Sequence, residues 1–575
     1  MAQAIRRRTS AGRLAGDLHP VLERVFTARG IEDLDDLSLG LDRLLPPSEF
    51  AGLKQAAALL ADCLEARQRI LIVGDFDADG ATSTAVGVTL LRAMGAASVD
   101  YLVPNRFDYG YGLTPEIVEL ARERSPHLIV TVDNGISSLE GVARAGELGI
   151  RTLVTDHHLP GRELPAADVI VNPNQPGCGF PSKHLAGVGV IFYVMSALRQ
   201  ELRARDWFAR EGIEAPALAS VLDLVALGTV ADVVPLDRNN RILVQQGLLR
   251  IRAGQTRPGI EALLSIAGRS LHRAVASDLS FAVAPRLNAA GRLDDMSIGI
   301  ACLLSDSPAE ANLYAQQLDD FNRDRQQIER SMQDEAAAAL ASLDLADADS
   351  LPNSICLYQP GWHQGVVGIL ASRVKERWHR PVIAFADADD GSIKGSARSI
   401  PGLHIRDVLD RVASAEPGLV SKFGGHAMAA GLSLPREHYQ RFAEALETVV
   451  SDWIDDVELQ AVVESDGELA GGELQLDLAR QLRYAAPWGQ HFPEPVFDGV
   501  FAVVHQRIVG EKHLKLVLSP DGHPDCLLDA IAFNVDTGIW PSDGVERVEV
   551  AYRLDCNYYR GEERLQLMIE VLRPA

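Results

Sequence analysis

The chain has 575 residues, of which 47% are hydrophobic and 23% charged, and its formal net charge is −24. This length is too great for one compact core and predicts about three or four domains. No run of about 20 apolar residues is present to span a bilayer, and an acidic chain does not coat nucleic acid by bulk electrostatics. We expect a soluble, cytoplasmic, monomeric protein whose contacts with any polyanion are confined to a groove lined by arginines or metal ions.

From Arg69 onward, short apolar runs that predict strands alternate with helical segments. Each run is bounded by Gly, Pro or Asp, and the runs lie at 70–73, 99–103, 128–132, 152–155 and 169–171. A helical pattern covers 81–94. This alternation is typical of an α/β domain with a mostly parallel sheet, in which ligands bind at the carboxyl ends of the strands.

The second half of the chain contains three further kinds of segment. The region 215–304 has a helical composition, and apolar residues at helical spacing predict a long connecting helix over 307–345. Pro352 opens a second α/β segment with Gly-rich loops near Gly395 and Gly424. After about residue 456, some five short strand-like runs predict a small β-barrel, for which an oligonucleotide-binding barrel is one candidate.

Three aspartates, Asp75, Asp77 and Asp79, occupy alternate positions in the Gly-bounded run that follows the first predicted strand. Hard divalent cations prefer such oxygen ligands. Two alternatives are an Asp-rich turn that caps the next helix and a calcium loop. The calcium loop is disfavoured because its twelfth position, which should be Glu, is Val86. The run alone fits a capped turn and a catalytic metal site about equally well.

Three later motifs add carboxylates and imidazoles. Asp133 closes one predicted strand, Asp156, His157 and His158 close the next, and Asp232 ends the run Gly228–Asp232. Each motif taken alone fits an ordinary turn or a capped histidine. Three of the four motifs follow strands that a parallel sheet brings side by side, and carboxylates crowded in this way require cations. Mixed Asp and His ligands suit Mn²⁺ or Mg²⁺, and about six of them are enough for two ions that activate water in phosphoryl chemistry.

The motifs resemble, in order and in residue identity, those of the DHH phosphoesterase superfamily and, within it, those of the RecJ family of bacterial single-strand-specific DNA exonucleases. The matching runs are GDFDADGAT from Gly74, PNRFDYGYGL from Pro104, VDNG from Val132, TDHH from Thr155, GTVADVVPL from Gly228, PRLNAAGRL from Pro285, GWHQGVVGILASR from Gly361, GSARS from Gly395 and GGHAMAAG from Gly424. The resemblance extends from about Leu53 to near the C-terminus. It implies an N-terminal extension at 1–52, a DHH catalytic domain at 53–305, a connecting helix at 306–348, a DHH-associated substrate-binding domain at 349–456 and an OB-fold single-strand-binding domain at 457–575.

The resemblance also implies roles for individual residues. The metal ligands are Asp77, Asp79, Asp133, which bridges two ions, His157 and Asp232. Asp75 is a further candidate ligand, His158 contacts the scissile phosphate, and Asp156 orients the histidines. The residues implied in DNA binding are Arg106, Arg286, Asn288, Arg292, Ser372, Arg373, Arg398, Gly424, Gly425 and His426. For any one of these arginines a surface salt bridge is an equally good explanation, and the Gly pair fits an ordinary turn.

The predicted barrel carries aromatic residues interleaved with cations, the combination that binds single strands by base stacking. These residues are Phe501, His505, Arg507, Lys512, His513, Lys515, Tyr552, Tyr558, Tyr559 and Arg560. Aromatic residues at strand spacing also fill barrel cores, so the sequence leaves open which of them face DNA.

The resemblance implies a metal-dependent exonuclease that degrades single-stranded DNA from 5′ to 3′, releases 5′-mononucleotides and acts in DNA recombination and repair, including mismatch repair. It also implies single-strand-binding protein and a RecQ-type helicase as partners. One alternative is a DHH phosphoesterase for short oligonucleotides or cyclic dinucleotides, which the connecting helix and the extra C-terminal domain disfavour. The other is a non-catalytic single-strand-binding scaffold, which the Asp and His residues at every motif position disfavour.

Overall fold

A computed structural model of the chain describes residues 4–10, 12–14, 16–104, 112–341, 352–388, 391–425, 427–453, 459, 461–542 and 544–575. The N-terminal segment contains a strand, β1 (Ala4–Arg7), and a helix, α1 (Pro20–Thr27). Pro20 begins α1 at a position where its missing N–H costs nothing, and His19 caps the helix by accepting from the Val21 N–H. The next helix, α2 (Leu53–Glu65), leads into the first α/β domain.

The first domain is built on a five-stranded parallel sheet. Its strands are β2 (Arg69–Gly74), β3 (Ser98–Leu102), β4 (Leu128–Val132), β5 (Arg151–Thr155) and β6 (Val169–Val171), and their order in the sheet is β3-β2-β4-β5-β6. The central strands are buried along almost their whole length because helices cover both faces. Since β3 and β4 lie on opposite sides of β2, the chain reverses direction across the sheet between β2 and β4, the position where open α/β sheets bind ligands.

The helices of this domain cover the sheet and extend it into a helical subdomain. They are α3 (Ala78–Ala93), α4 (Pro115–Glu123), α5 (Leu139–Glu147), α6 (Gly187–Ala204), α7 (Trp207–Glu211), α8 (Leu222–Ala231), α9 (Arg238–Arg252), α10 (Pro258–Ile266), α11 (Ala284–Leu293) and α12 (Ser297–Leu304). A π-helical turn, Leu279–Val283, directly precedes α11. The connecting helix, α13 (Pro308–Ala341), packs against α10, α11 and α12.

The second α/β domain has its own mixed sheet. Its strands are β7 (Ile355–Tyr358), β8 (Val382–Asp387), β9 (Ser392–Arg398), β10 (Lys422–Gly425) and β11 (Ala429–Pro435), in the order β10-β11-β9-β8-β7. Its helices are α14 (Val367–Trp378), α15 (Ile405–Ala415) and α16 (Tyr439–Trp453). Two apolar clusters form the core of this domain, and they are separate from the main core that the first domain shares with the barrel.

The C-terminal region forms the predicted barrel. A short strand, β12 (Val462–Ser465), and a helix, α17 (Leu476–Ala485), precede five strands that close in the order β13-β14-β15-β17-β16. These are β13 (Phe497–Val509), β14 (His513–Pro520), β15 (Leu528–Ala532), β16 (Arg547–Tyr559) and β17 (Glu562–Pro574). Five strands closed in this way are the architecture of the oligonucleotide-binding fold. Phe501 and Tyr552 are buried in the barrel, whereas Tyr558 and Tyr559 are exposed at its surface.

The fold class predicted from the sequence is confirmed, while some element bounds differ. Helix α3, predicted over 81–94, begins at Ala78 because the Asp77 carboxylate caps it by accepting from the N–H groups of Asp79 and Gly80. The connecting helix ends at Ala341, and residues 342–351 lie outside the described residues. No helix in the described ranges combines the length and apolarity needed to cross a bilayer.

Candidate metal centre

The loop between β2 and α3 holds two carboxylates, Asp75 and Asp77, close to the N-terminus of a buried helix. Asp75 Oδ1 accepts from the Phe76 N–H at 2.8 Å, and Asp77 caps α3. Helix α11 supports this loop from outside, because Asn288 Oδ1 accepts from the Ala78 N–H at 2.7 Å. Gly291 on α11 permits this packing, since a Cβ there would lie 1.8 Å from the Phe76 carbonyl oxygen. The loop is therefore held on both sides before any ligand binds.

Asp79 is buried in the first turn of α3 and is bound by a second helix terminus. Its two carboxylate oxygens accept from the N–H groups of Gly187 (2.7 Å) and Val188 (2.9 Å), which begin α6. A carboxylate at a helix N-terminus is stabilised by the free N–H groups and the helix dipole. A Cβ at Gly187 would lie 2.6 Å from Asp133 Oδ1, so glycine at this position lets α6 approach the carboxylates.

Asp133 follows β4 in a backbone conformation that is unusual for a residue other than glycine, with a φ of 62°. Its N–H donates to the Thr155 carbonyl at 3.0 Å, and the Asn134 side chain donates to the Val73 and Val132 carbonyls. Left-handed backbone at a non-glycine residue costs free energy and persists where surrounding contacts enforce it, often at functional sites. These bonds turn the Asp133 side chain toward the loop that follows β2.

Asp156, His157 and His158 form a compact unit at the end of β5. Asp156 is buried, and its Oδ1 accepts from the N–H groups of His157 (2.7 Å) and His158 (3.1 Å) and lies 2.7 Å from His158 Nδ1. Its Oδ2 accepts from the Ile136 N–H at 2.9 Å. Asp156 thus contacts the ring of His158 and the backbone N–H of His157. Its orienting role stays a prediction.

The four motifs meet at the carboxyl ends of β2, β4 and β5. His157 Nε2 lies 3.1 Å from Asp133 Oδ1 and 3.4 Å from Asp232 Oδ2, and Asp232 directly follows α8. Three sets of side chains bring their ligand atoms within 4.8 Å of one another. These sets are Asp75, Asp77 and Asp133; Asp79, His157 and Asp232; and Asp133, His157 and His158. All six residues predicted as ligands belong to at least one set, and Asp133 and His157 each belong to two.

Burial and mutual repulsion disfavour the charged forms of these carboxyls. Burial, followed by repulsion from neighbouring carboxylates, raises the pKa of Asp79 to about 7, that of Asp232 to about 8, and that of Asp133 well above its usual range. Burial and the neighbouring His158 charge lower the pKa of His157, which keeps that imidazole neutral. Burial lowers the pKa of His158, but the hydrogen bond to Asp156 together with the negative charges of Asp156, Asp232 and Asp75 outweighs burial and raises the pKa to about 9.

These residues fit divalent metal ions. His157 Nε2 is buried and makes no hydrogen bond within the described part of the chain, although two carboxylates lie within 3.4 Å of it. A neutral imidazole nitrogen surrounded by carboxylate oxygens is the donor set of Mn²⁺ and Mg²⁺ sites. Bound cations would offset the repulsion between the carboxylates, which otherwise favours their protonated forms. The ligand roles of the individual residues stay a prediction.

Metal binding should depend on pH with a definite sign. A carboxyl whose folded pKa is raised stabilises the fold below its unfolded pKa of 3.8, and this contribution is lost as pH rises through the folded values of about 7 and about 8 for Asp79 and Asp232. Without metal, the protein should therefore lose stability between about pH 4 and pH 8. We expect Mg²⁺ or Mn²⁺ to raise the unfolding temperature more at pH 8 than at pH 6, measured by thermal unfolding against EDTA.

The matched variant for this experiment is Asp232→Asn. It removes one of the repelling carboxyls from a half-buried side chain that accepts from no backbone N–H within the described residues. It should unfold at a higher temperature than the parent protein in EDTA at pH 8 and should gain less from metal. Equal metal-induced shifts at both pH values would contradict the assignment.

Two of the arginines predicted to bind DNA are engaged in ion pairs. Arg286 contacts Asp319 on α13 at 2.8 Å, and Arg373 contacts Glu329 on the same helix at 3.1 Å. Both pairs join a domain to the connecting helix. The structure thus contains the salt bridges that were the alternative explanation for these two arginines. Their contacts with DNA stay a prediction.

Other predicted contacts lie where the two α/β domains meet. Arg292, at the end of α11, donates to the Gly365 carbonyl at 3.1 Å. Arg398 donates to the Ser396 hydroxyl and the Ala397 carbonyl, and a Cβ at Gly368, in the first turn of α14, would lie 2.8 Å from its guanidinium. Burial lowers the pKa of Arg398. Within the described residues, Arg398 forms no ion pair, so a partly buried cation faces a helix N-terminus without a carboxylate.

The remaining predicted contacts are of three kinds. Ser372 donates to the Gly368 carbonyl within α14 at 3.1 Å. Gly424 and Gly425 lie on β10, and Gly424 has open space where a side chain would be. Asn288 supports the aspartate loop through its bond to Ala78. Arg106 and His426 lie outside the described residues.

Sequence reasoning missed several residues that position the centre. The N–H groups of Gly187 and Val188 bind Asp79, and the side chains of Asn172 and Asn174 donate to the carbonyls of His158 and His157. The run Ala186–Val190, a glycine-rich start to an apolar helix, was a usable signal for a helix N-terminus that binds an anion. Nothing in the sequence pairs it with Asp79.

The sheet and its carboxylate–histidine centre define a protein of the DHH phosphoesterase class. Family models match the chain in three places: the DHH family N-terminal domain at residues 69–229, the DHHA1 domain at 352–452 and the RecJ OB domain at 465–571. The single-stranded-DNA-specific exonuclease RecJ of Escherichia coli is 54% identical over 561 residues, which are 98% of this chain and 97% of the relative. The chain therefore belongs to the RecJ family.

More distant relatives and solved structures agree with this assignment. The RecJ exonuclease of Thermus thermophilus is 34% identical over 499 residues, which are 87% of this chain and 68% of the relative. The crystal structure of that organism's RecJ in complex with Mn²⁺ matches with a TM-score of 0.78 at 31% identity and covers 99% of this chain and 79% of that one. Its complex with Mg²⁺ matches with a TM-score of 0.73 at 28% identity over 99% of this chain and 78% of that one.

Proposed function

We propose that the chain is a metal-dependent exonuclease specific for single-stranded DNA, acting in DNA recombination and repair. The observation that carries this proposal is the meeting of carboxylates and an imidazole in three overlapping sets at the sheet's ligand-binding edge. Its family supports the substrate, because relatives that match nearly the whole chain are named single-stranded-DNA-specific exonucleases. The 5′-to-3′ direction and the 5′-mononucleotide product follow from the sequence resemblance.

The residues proposed to hold metal are Asp75, Asp77, Asp79, Asp133, His157 and Asp232, and two ions are proposed. Mn²⁺ or Mg²⁺ bound there would lower the pKa of a water molecule and neutralise charge on the phosphate being cleaved. The crystal structures of the Thermus thermophilus RecJ with Mn²⁺ and with Mg²⁺ support these two ions as the cofactors of the chain. His157 is suited to ligation because its imidazole is neutral.

The chain's own groups bind and orient the phosphodiester. His158, whose pKa of about 9 keeps it protonated at neutral pH, is proposed to contact the scissile phosphate, and its Nδ1 lies 2.7 Å from Asp156 Oδ1, which fixes the ring. Arg398, at the end of β9 with its guanidinium beside the first turn of α14, and the open backbone at Gly424 offer a second phosphate site in the neighbouring domain. Two phosphates of one strand would thus be bound by two different domains. Binding of this kind favours a flexible single strand.

A labelled-substrate assay tests the proposal. Single strands labelled at the 5′ or the 3′ end, duplex DNA, short RNA and a cyclic dinucleotide are each incubated with Mn²⁺ or with EDTA. We expect metal-dependent release of mononucleotides from the 5′ end of single-stranded DNA. Preference for the dinucleotide would favour a small-substrate phosphoesterase, and binding of single strands without turnover of any substrate would favour a scaffold.

Several finer points belong to the same proposal. We infer that single-stranded DNA is the principal partner, and the resemblance adds single-strand-binding protein and a RecQ-type helicase. A monomer acting in the cytoplasm is proposed, because the chain carries its own catalytic domain and its own barrel. Light scattering of the purified protein, alone and with each candidate partner, tests the monomer and the complexes.

A further inference from the structure

Phe281 is more exposed than any other large apolar side chain in the described ranges, with 80% of its surface accessible. Its neighbours Leu279, Ala282 and Val283 are buried, so the ring is directed outward from a well-packed turn. A phenyl ring left in water forgoes the stabilisation that burial provides. A ligand that covers the ring would recover it.

The turn that carries Phe281 adjoins the metal centre. It is the π-helical turn before α11, a local geometry that is frequent at functional sites. The Ser280 hydroxyl donates to the Val230 carbonyl at 3.0 Å, two residues before Asp232. The turn continues directly into α11, where Asn288 holds the aspartate loop. The turn that carries Phe281 therefore packs on α8, the helix that Asp232 directly follows, and leads into the helix that supports the aspartate loop.

Cations connect this position with the barrel. Asp278, three residues before Phe281, lies 3.4 Å from Arg269 and 3.9 Å from Arg483. Arg483 also contacts Asp555 on β16 at 3.0 Å. The two guanidinium groups contact two carboxylates here, and because each guanidinium carries five N–H donors, donors remain for the phosphates of a passing strand.

An exposed aromatic pair lies at the other end of this line of cations. Tyr558 and Tyr559, at the end of β16, are 50% and 65% exposed. The Arg273 guanidinium lies 3.7 Å from the Tyr558 ring centroid and so covers one face of that ring. The hairpin tip also carries Arg560. The loop between the last two strands is one of the two loops with which OB folds bind oligonucleotides.

We propose that single-stranded DNA leaves the metal centre past Phe281, whose ring stacks on a base a few nucleotides from the cleaved bond. The strand continues along Arg269 and Arg483 to the free face of Tyr558. This path rests on the proposed function and adds a positioning residue to it. Phe281 orders the bases next to the reacting phosphate, and the hairpin tip retains the remainder of the strand.

Stacking can be measured directly with single strands that carry 2-aminopurine at successive positions, since stacking quenches its fluorescence. Binding is followed with Ca²⁺ in place of the catalytic metal. In the parent protein we expect quenching at one or two positions near the cleaved end. In Phe281→Ala this quenching should be lost, and the KM for single-stranded DNA should rise about five- to hundredfold while kcat changes much less.

Four further variants distinguish a stacking role from a general effect. Phe281→Trp should restore quenching and KM, whereas Phe281→Leu, which is apolar but not aromatic, should not. Leu313→Ala removes another exposed apolar side chain, 62% accessible on α13, and should leave both quantities unchanged. Tyr558→Ala should raise KM more for a long strand than for a trinucleotide, whereas Phe281→Ala should raise both.

The outcomes separate this inference from the function on which it rests. A parent protein without metal-dependent cleavage of single strands would contradict the proposed function itself. A cleaving parent protein whose Phe281→Ala variant keeps its KM and its quenching pattern would overturn only the path. Rescue by Phe281→Leu as complete as that by Phe281→Trp would also overturn it, because base stacking requires a ring.

Discussion

Replacing Asp133 with asparagine should lower the rate of single-strand cleavage by on the order of 10³-fold or more while single-strand binding changes only a few-fold. Asp133 belongs to two of the three candidate ligand sets, and the amide removes its charge and one acceptor oxygen. Asparagine is preferable to alanine because it tolerates the φ of 62° at this position. Strand binding should persist because it depends on arginines and backbone groups outside the centre.

Cleavage is measured in single turnover with Mn²⁺, and binding by fluorescence anisotropy with Ca²⁺. The matched control is Asp100→Asn, the same change at an exposed position on β3 of the same sheet, where the carboxylate contacts Arg124. That variant should retain the activity of the parent protein. If Asp133→Asn kept more than about a tenth of the parent activity, the ligand set would be wrong.

Replacing Arg29 with alanine should destabilise the attachment of the N-terminal segment to the barrel by about 3–5 kcal/mol. Arg29 and Asp466 form a buried, bidentate ion pair, with side-chain exposures of 1% and 0% and N···O distances of 2.7 and 2.9 Å. Arg29 also donates to the Pro493 carbonyl and lies over the Trp488 ring. Without Arg29, the Asp466 carboxylate stays buried with its charge uncompensated.

Calorimetric unfolding and limited proteolysis of the N-terminal segment measure this effect. Arg144→Ala breaks the exposed contacts of Arg144 with Glu119 and Glu147 and should leave the free energy of unfolding nearly unchanged, because solvent screens exposed ion pairs. The double variant Arg29→Ala with Asp466→Asn should recover part of the loss, since it removes the uncompensated charge. A loss in Arg29→Ala no larger than that in Arg144→Ala would show that the Arg29–Asp466 ion pair does not attach the N-terminal segment.

This segment shows what the sequence left undetermined. The resemblance begins near Leu53 and gave residues 1–52 no role, yet β1 pairs in parallel with β12, and Arg29 reaches a carboxylate 437 positions away. The same segment contacts the first domain, where the Asn239 side chain accepts from the Leu45 N–H. It therefore ties the barrel to the first domain independently of the connecting helix. No local pattern predicts such a link, because it depends on how distant elements pack.

The sequence by itself determined the elements and the chemistry of the centre. Apolar runs bounded by turn residues specify the buried strands, and carboxylates placed directly after those strands must meet at one edge of a parallel sheet. The approach of α6 to Asp79, the support of the aspartate loop by Asn288 and the outward ring of Phe281 were decided only by the tertiary structure. Strand and turn patterns act over a few residues, whereas these contacts join segments separated by about a hundred positions or more, or depend on which side of a helix stays uncovered.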